Sequence, residues 1–598
     1  MKVRRLLALF MVVCMVLLLS VACTPDAPGG DTADTADTTG NDATNDADVT
    51  TDDPSDPDDT AGGGGAADDA TGVATTGPFG RFPETVSMSI GRFMVTDPAF
   101  DEGQDMENNI FIDLIYESLN IAITYDWLVA GDGYETRISL VMASGDMPDT
   151  MYVNNRQQLN QLFESGMLLC LSDAFDQYAS DMTRAFYESY MQPHETVILE
   201  AFRYNGELLA LPNTNIAYQY TLTWVRRDWM EAVGETAPQS MEDIIRIART
   251  FVAQDPGNNG PGNTIGFVSS PYLAGHYNDV AVLDNLFSYF QSFPRAWIYD
   301  DAAGGYVYGT TQPQTREALA LLAELFEEGL IDPQFATNDR VQAIAAGQVG
   351  IVMGPWWQPW WPLAATVEQG NPDAVWDPFI APLAPDGYFY QSLPNPHTNW
   401  MVANRDFAYP EAVIKMFNLT NVMLGQYYAA DDLIPNTTTT HGEIYDSLNR
   451  SWTMWPFPIQ MIWNDGVLGI GRDMRMQIDA GSYYATNPSH NSYIQGYRGF
   501  NANPGYDIDH TIMYMNTRSV ILQYENDHLL RYPRIGFPGV TDTMEQRWAH
   551  LQTMENQMLL EIVMGIEPIE HFDIFVQQWL DQGGAQITEE VNEILLGR

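Results

Sequence analysis

Four tryptophans fall within six residues in the stretch GQVGIVMGPWWQPWWP, Gly347 to Pro362. Trp356, Trp357, Trp360 and Trp361 follow a short apolar run bracketed by glycines. An indole offers a broad apolar face with a single N–H at its edge. That face suits a partner that is flat, uncharged and lined with C–H groups. A pyranose ring has such faces, and its hydroxyl rim needs side-chain hydrogen bonds. The competing reading is four rings packed into a hydrophobic corner, since burial is the ordinary use of tryptophan. Successive strand residues face opposite ways, so one of Trp356 and Trp357 is expected to face outward.

Other residues could join this chemistry. Trp224 opens the run WVRRDW, Tyr218 and Tyr220 lie in NTNIAYQY, and Trp400 ends PNPHTNW. Trp452, Trp455 and Trp463 lie in a proline-interrupted stretch, SWTMWPFPIQMIWNDG. Asn154, Asn155 and Arg156 follow a strand-like segment, and ligands of α/β sheets gather beyond the carboxyl ends of strands. An ordinary polar turn is the alternative there. No HExxH, GxSxG or phosphate-cradling glycine loop occurs in a suitable context. Glycoside hydrolysis needs two carboxyl groups about 5–9.5 Å apart, and no acidic pair stands out. The chain is therefore read as a binding protein without a catalytic site.

These residues need elements to hold them. ETVSMSIGRF reads as a strand and MENNIFIDLIYESLN as a helix with Ile110, Leu114, Ile115 and Leu119 on one face. IAITYDWLV is a second strand, YETRISLVMASGD a helix and PDTMYVNN a third strand. This β-α-β-α-β alternation predicts an α/β lobe. A helix follows from Gln157 to Gly166, then a hairpin turning at Asn205-Gly206. Ser240 and Asp243 have capping-box spacing, and Gly329 ends a helix whose stripe is Ala318, Leu321, Leu322 and Leu325.

The chain opens MKVRRLLALFMVVCMVLLLSVACTP. A basic start, an apolar core and small residues before Cys23 form a secretory signal too short for a membrane span. LLSVAC resembles a lipobox, which places lipid on Cys23 as the first residue after cleavage. The segment to about residue 77 is mostly Asp, Thr, Ala, Gly and Pro, without a basic residue or an aromatic before Phe79, the composition of an extended disordered tether. The whole chain carries 79 acidic and 27 basic residues, a formal net charge of −52. Phosphate binding needs a basic surface, so nucleic acid is excluded as a partner. The other cysteines are Cys14, in the signal, and Cys170. Cys170 is read as a small buried hydrophobe.

The runs ASGDMPD, YNGELLALP, WVRRDWMEAVG, EALALLAELFEEGLIDPQFAT, GQVGIVMGPWW and PEAVIKMFNLTN, in this order, resemble bacterial extracellular solute-binding proteins of carbohydrate ABC importers. The likeness extends from about Pro83 to the C-terminal helices. The alginate-binding type is the nearer relative and the maltose-binding type the more distant one. The resemblance implies an α/β, two-lobe, type II periplasmic-binding-protein-like fold with hinge crossovers near NTNIAYQY and PNPHTNW. The implied segments are a signal over 1–22, a lipidated tether over 23–80, an N-terminal lobe of 81–215 plus about 400–520, and a C-terminal lobe of about 216–399 plus about 521–598. It implies that Trp356, the residue after Gly-Pro, stacks on ligand. Trp360 extends that platform, and Arg226 and Asp228 form a structural ion pair.

The resemblance further implies a calcium loop in DPGNNGPGNTIGF, with Asp255 first, Asn259 fifth, the Pro261 carbonyl seventh and Asn263 ninth. Gly257, Thr264 and Gly266 stand where other members of such loops place oxygen donors, which leaves one carboxylate for an ion that prefers six to eight oxygens. Calcium is the only cofactor suggested. The implied partners are an oligosaccharide, permease subunits with a separate ATPase, and the membrane through lipid at Cys23. The protein would act outside the cytoplasm as a monomer. A peptide or polyamine in the same cleft, or a surface glycoside hydrolase, are the alternatives.

Overall fold

A computed structural model describes most of the chain from Thr76 to Gly597. Residues 1–75, 95–99, 101, 131–132, 190–202, 205, 214–219, 276–278, 370, 372, 392–398, 425–430, 445–453, 460–466, 468, 470, 473–509, 537–538 and 598 lie outside the description. Contacts divide the chain into Met1–Ala67, outside the described residues, and Asp68–Arg598. Everything below concerns the second unit.

The expected alternation is present. β1 (Val86–Met94) leads to the helix Ile110–Leu119, β2 (Ile121–Ala130), the helix Gly133–Ser144 and β3 (Thr150–Val153). Local rules explain the boundaries. Asn109 accepts from the amides of Phe111 and Ile112 at the helix start, and Asn120 ends the helix in the left-handed conformation, a favourable pairing of residue and cap. β1 runs parallel to both β2 and β3. The hairpin β4 (Arg203–Tyr204) and β5 (Glu207–Leu208) follows, then β6 (Leu211–Pro212).

The second group of strands begins with β7 (Thr221–Arg226) and β8 (Ile265–Phe267). It continues with β9 (Trp297–Asp300), β10 (Gly305–Tyr308), β11 (Val349–Pro355), β12 (Trp376–Phe379) and β13 (Phe389–Tyr390). The helix Met241–Gln254 between β7 and β8 starts with the full Ser240–Asp243 capping box. β14 (Trp400–Ala403) returns to the first group, and β15 (Leu530–Arg531) and β16 (Ile535–Gly536) belong to the second. The two main sheets have the orders β2-β1-β3-β14-β6 and β12-β7-β11-β8. β14 is antiparallel to β3 and β6, and β7 is antiparallel to both its neighbours, so each sheet is mixed.

Each sheet has its own core. Met88, Ile90, Phe111, Met151, Ile414, Phe417 and Trp455 pack around the first. Ile244, Phe251, Leu322, Ile351 and Leu559 pack on the second, with Trp224, Val352 and Ile521 forming a further layer. The chain passes between these cores after Pro212 and again before Trp400. The crossings are pinned on both sides. Asn213 and Asn399 exchange bonds on the first-lobe side, through Asn213 N to Asn399 O and Asn399 N to Asn213 Oδ1. Gln391 accepts from Thr221 N and donates to Thr221 O on the second-lobe side.

A third passage lies elsewhere than expected. The expected first lobe runs to about residue 520, but among the described residues Ile459 is the last in the first core, and Val467 packs with the second. The helix His510–Asn526 covers the second sheet: Thr517 reaches Trp224, and Arg518 lies over Trp356. Two large rings on that sheet need a cover, and this helix supplies it. Cys170 also departs from expectation. It is exposed, because Leu168 and Leu171 take the inward positions of its segment. No helix among the described residues is long and apolar enough to cross a membrane.

Arg226 and Asp228 form the expected ion pair. The guanidinium is fully buried, donates from Nε and Nη2 to the two carboxylate oxygens, and lies 4.7 Å from the ring centre of Trp229 and 5.6 Å from that of Trp376. A buried cation held by a fork of hydrogen bonds between two rings is structural machinery, with no face left for a ligand.

Candidate functional site

Register places the predicted residues at the sheet ends nearest the crossings. β11 ends where β7 begins, with Pro355 opposite Thr221. Trp356 continues the contact, its amide donating to Tyr220 O at 2.8 Å. The tryptophan loop therefore leaves the second sheet at the end nearest the first two crossings. In the first sheet Trp400, directly after a crossing, pairs with Val153 at the end of β3 and with Pro212. Asn154, Asn155 and Arg156 follow Val153, so they too lie at the crossing end.

The loop's path depends on Gly354. Its φ is +145°, and a Cβ there would meet Gln358 Nε2 at 2.0 Å. The glycine lets Gln358 fold underneath, fully buried, and donate to Met353 O at 3.1 Å. The four indoles above it are graded from covered to open. Trp356 is only 8 % exposed. Arg518 lies 5.1 Å from its ring centre, and Trp360 meets it edge-on at 5.9 Å. Trp357 and Trp360 are half-buried against the same layer. Trp361 is 51 % exposed.

This reverses the expectation for the first pair. The resemblance favoured Trp356 as the open ring, but Trp356 faces the helix His510–Asn526, and Trp357 is the more open of the two. Trp224 is also not available: it lies on a strand bonded on both sides, is fully buried, and donates from Nε1 to Thr517 Oγ1 at 3.4 Å. Tyr220 is buried too, with the Tyr532 hydroxyl 3.3 Å from its own. Trp400 is buried at the start of β14, with the Arg156 guanidinium 5.8 Å from its ring centre. Tyr218, Trp452, Trp463 and Cys23 lie outside the described residues.

On the first lobe Asn154 is exposed, whereas Asn155 caps the helix Arg156–Ser165 by accepting from Gln158 N at 3.1 Å. Its oxygen is committed to the fold. Arg156 extends across the boundary: its guanidinium lies 3.7–4.0 Å from where a Cβ on Gly539 would stand. Gly539 immediately precedes Val540, which packs on the second core. Burial lowers the Arg156 pKa to about 10, since removal from water penalises the charged form. Arg156 is thus a first-lobe cation in contact with the second lobe. Arg203 instead serves its hairpin, donating to Ser172 Oγ and Gly206 O.

A further cluster was missed by the sequence reading. Arg92, near the end of β1, is fully buried beside Tyr125, Tyr134 and Tyr152, and donates to the carbonyls of Phe93 and Trp455. Phe93 joins Tyr134 and Tyr152, with ring centres 6.3 and 5.7 Å away, and Trp127 stands 5.6 Å from Tyr134. Burial pushes the Tyr125 pKa up to about 12, with the Arg92 charge pulling the other way. Phe93 and Tyr125 are half-buried. The cluster lies at the carboxyl ends of β1 to β3, the crossing end of the first sheet. An arginine in an inward strand position was the signal that could have found it.

The Asp255 loop is a turn closed by hydrogen bonds. Asp255 caps the helix Met241–Gln254 in the left-handed conformation. Its carboxylate accepts from Asn259 N and Gly260 N, each at 2.9 Å, and from the Thr264 hydroxyl. Asn263 donates from its side chain to Asn259 O, and Pro261 continues the turn. No group of three or more His, Cys, Asp or Glu side chains placed for a metal occurs among the described residues.

The family model described as bacterial extracellular solute-binding protein matches residues 101–419. The lipoprotein LipO of Bacillus subtilis is 25 % identical over 242 residues, 40 % of this chain and 44 % of its own length. The fructooligosaccharide ABC transporter substrate-binding protein FusA of Streptococcus pneumoniae is 22 % identical over 233 residues, 37 % of this chain and 41 % of its own length. The chain thus matches less than half the length of these curated relatives. Among solved structures, the alginate-binding protein AlgQ2 superposes with a TM-score of 0.56 at 16 % identity, covering 86 % of this chain and 98 % of that one. An HMO-binding, ABC-transporter-associated solute-binding protein from Bifidobacterium longum infantis gives 0.53 at 13 % identity, covering 85 % and 98 %. These likenesses show a shared α/β fold of the type II periplasmic-binding-protein kind. With more than half of its residues matched by the family model, the chain belongs to the bacterial extracellular solute-binding proteins.

Proposed function

We propose that this protein is a lipid-anchored receptor that captures an oligosaccharide between its two lobes and delivers it to the permease of an ABC importer, itself driven by a separate ATPase. The observation that supports this most is the pairing of two sheet ends. The graded tryptophans lie on one, and Asn154, Arg156 and the half-buried Phe93 and Tyr125 lie on the other. Family membership and the saccharide named for FusA point the same way.

In this reading Trp357, Trp360 and Trp361 form the apolar floor against the C–H faces of the sugar. Polar groups of the first lobe take the hydroxyl rim. Closure is a hinge motion about the crossings, in which a few residues absorb the backbone change. The chain performs no chemistry on its ligand. Lipid on Cys23 and the acidic segment to residue 80 hold the lobes outside the cell membrane as a monomer.

Titration calorimetry with neutral oligosaccharides, uronates, peptides and spermidine tests the ligand class. Stoichiometric binding of a saccharide is expected. Binding of spermidine or a peptide with no saccharide binding would replace the proposal, and turnover of a labelled oligosaccharide would make the protein a hydrolase. Labelled fatty acid should be incorporated by the wild type and not by Cys23→Ala.

A further inference from the structure

We infer that the loop from Asp255 to Thr264 is a metal-free clasp, held by hydrogen bonds where a calcium loop would be held by its ion. Calcium prefers six to eight oxygens, several of them carboxylate. Here the single carboxylate is already surrounded by donors. The amide of Asn259 and the hydroxyl of Thr264 converge on Asp255 Oδ1, and the amide of Gly260 on Oδ2. Asn259 turns its amide nitrogen inward, toward Thr264 Oγ1 at 3.2 Å and Gly347 O at 3.4 Å. The oxygens a cation would need at Asp255 and Thr264 are therefore already engaged within the loop.

The third loop position gives an independent argument. A Cβ on Gly257 would stand 2.5 Å from Trp229 Cζ2 and 2.7 Å from Asn259 Nδ2. Trp229 is only 2 % exposed and packs on Phe251 at 5.3 Å. An oxygen-bearing side chain at 257 would have to displace a core indole. The residues that depart from a calcium loop are thus accommodated together: Gly257 makes room for the ring, and Thr264 supplies a donor in place of an acidic ligand.

The clasp has a structural task. Through Gly347 it ties the end of the helix Met241–Gln254 to the start of β11. Ile265 N donates to Gln348 O at 2.9 Å, and Ile265 pairs with Val349. β11 then runs to the tryptophan loop. The strand that carries those rings is anchored without metal, whatever the ligand proves to be.

Thermal unfolding of the purified full chain, in calcium and in chelator, tests this without any sugar. A ligand that binds only the folded state raises Tm by mass action. The two midpoints should agree within about 1 °C, and a rise of more than about 2 °C in calcium would overturn the inference. Thr264→Val keeps the shape and removes the hydroxyl donor. It should lower Tm equally in both buffers; an unchanged Tm would also refute the clasp.

Discussion

Replacing Trp361 with alanine separates a ligand platform from a hydrophobic corner. Trp361 is 51 % exposed. A tryptophan side chain can bury up to about 250 Å², so roughly 125 Å² is open, and a sugar lying on one face would cover about half of that. At about 25 cal/mol per Å², this amounts to ~1.6 kcal/mol, or a rise in Kd of about 15-fold. The fold should lose a moderate part of its stability, because about half of the ring is covered by packing. Trp357→Ala is expected to weaken binding similarly with a modest loss of stability. Trp356→Ala is the contrasting variant: it empties a core position, at a cost of about 3–5 kcal/mol of stability. Calorimetry with the saccharide that the wild type binds gives the affinities, and thermal unfolding gives the stabilities. If Trp361→Ala and Trp357→Ala both bind that saccharide with wild-type affinity, the rings are not its floor and the platform reasoning is wrong.

Arg156→Ala should weaken ligand binding several-fold by removing a contact that spans both lobes. Arg156→Lys should recover little of it, since an ammonium lacks the planar face that lies over Trp400; full recovery with lysine would contradict this. Asp284 predicts a pH effect. Burial raises its carboxyl from the ordinary 3.8 to about 6, with the Gly275 amide and the Arg295 charge pulling downward. The folded state favours the protonated form, so this stabilisation is complete below about pH 4 and is lost as pH rises through about 6. Asp284→Asn should match the wild type near pH 4 and exceed it above pH 7 by up to ~3 kcal/mol, about two pKa units; a difference that does not vary with pH in denaturant titrations would refute it. Asp228→Ala strands the buried Arg226 cation and should cost about 3–5 kcal/mol in the same assay.

The pattern of these residues shows what could be read in advance. Helix starts at Asn109, Asn155 and Ser240, stops at Asn120 and Gly329, and the alternation of β1 through β3 all follow from groups a few residues apart. Their hydrogen bonds and steric limits are local, so the local sequence carries the signal. The ion pair of Arg226 and Asp228 was legible for the same reason, being two residues apart. The crossing-end location of the tryptophan loop and of Asn154 to Arg156 was also foreseeable, because strand order constrains where strands end.

Which indole is open was a different matter. Trp356 and Trp224 are covered by Arg518 and Thr517, residues more than 150 positions away in the chain. Burial depends on whatever packs against a ring, and alternation along a strand says only that neighbours differ, not which one meets the distant helix. The Arg92 cluster likewise assembles from β1, β2, the following helix and β3, with Trp455 brought in from far along the chain. The second-core packing of the helix His510–Asn526 has the same cause, since it buries Trp224 and Trp356 from far along the chain. The sequence alone determined the elements, their caps and the aromatic chemistry on offer. Only the tertiary structure decided which aromatic faces were used up in packing and which stayed open, because coverage is a property of contacts between distant segments.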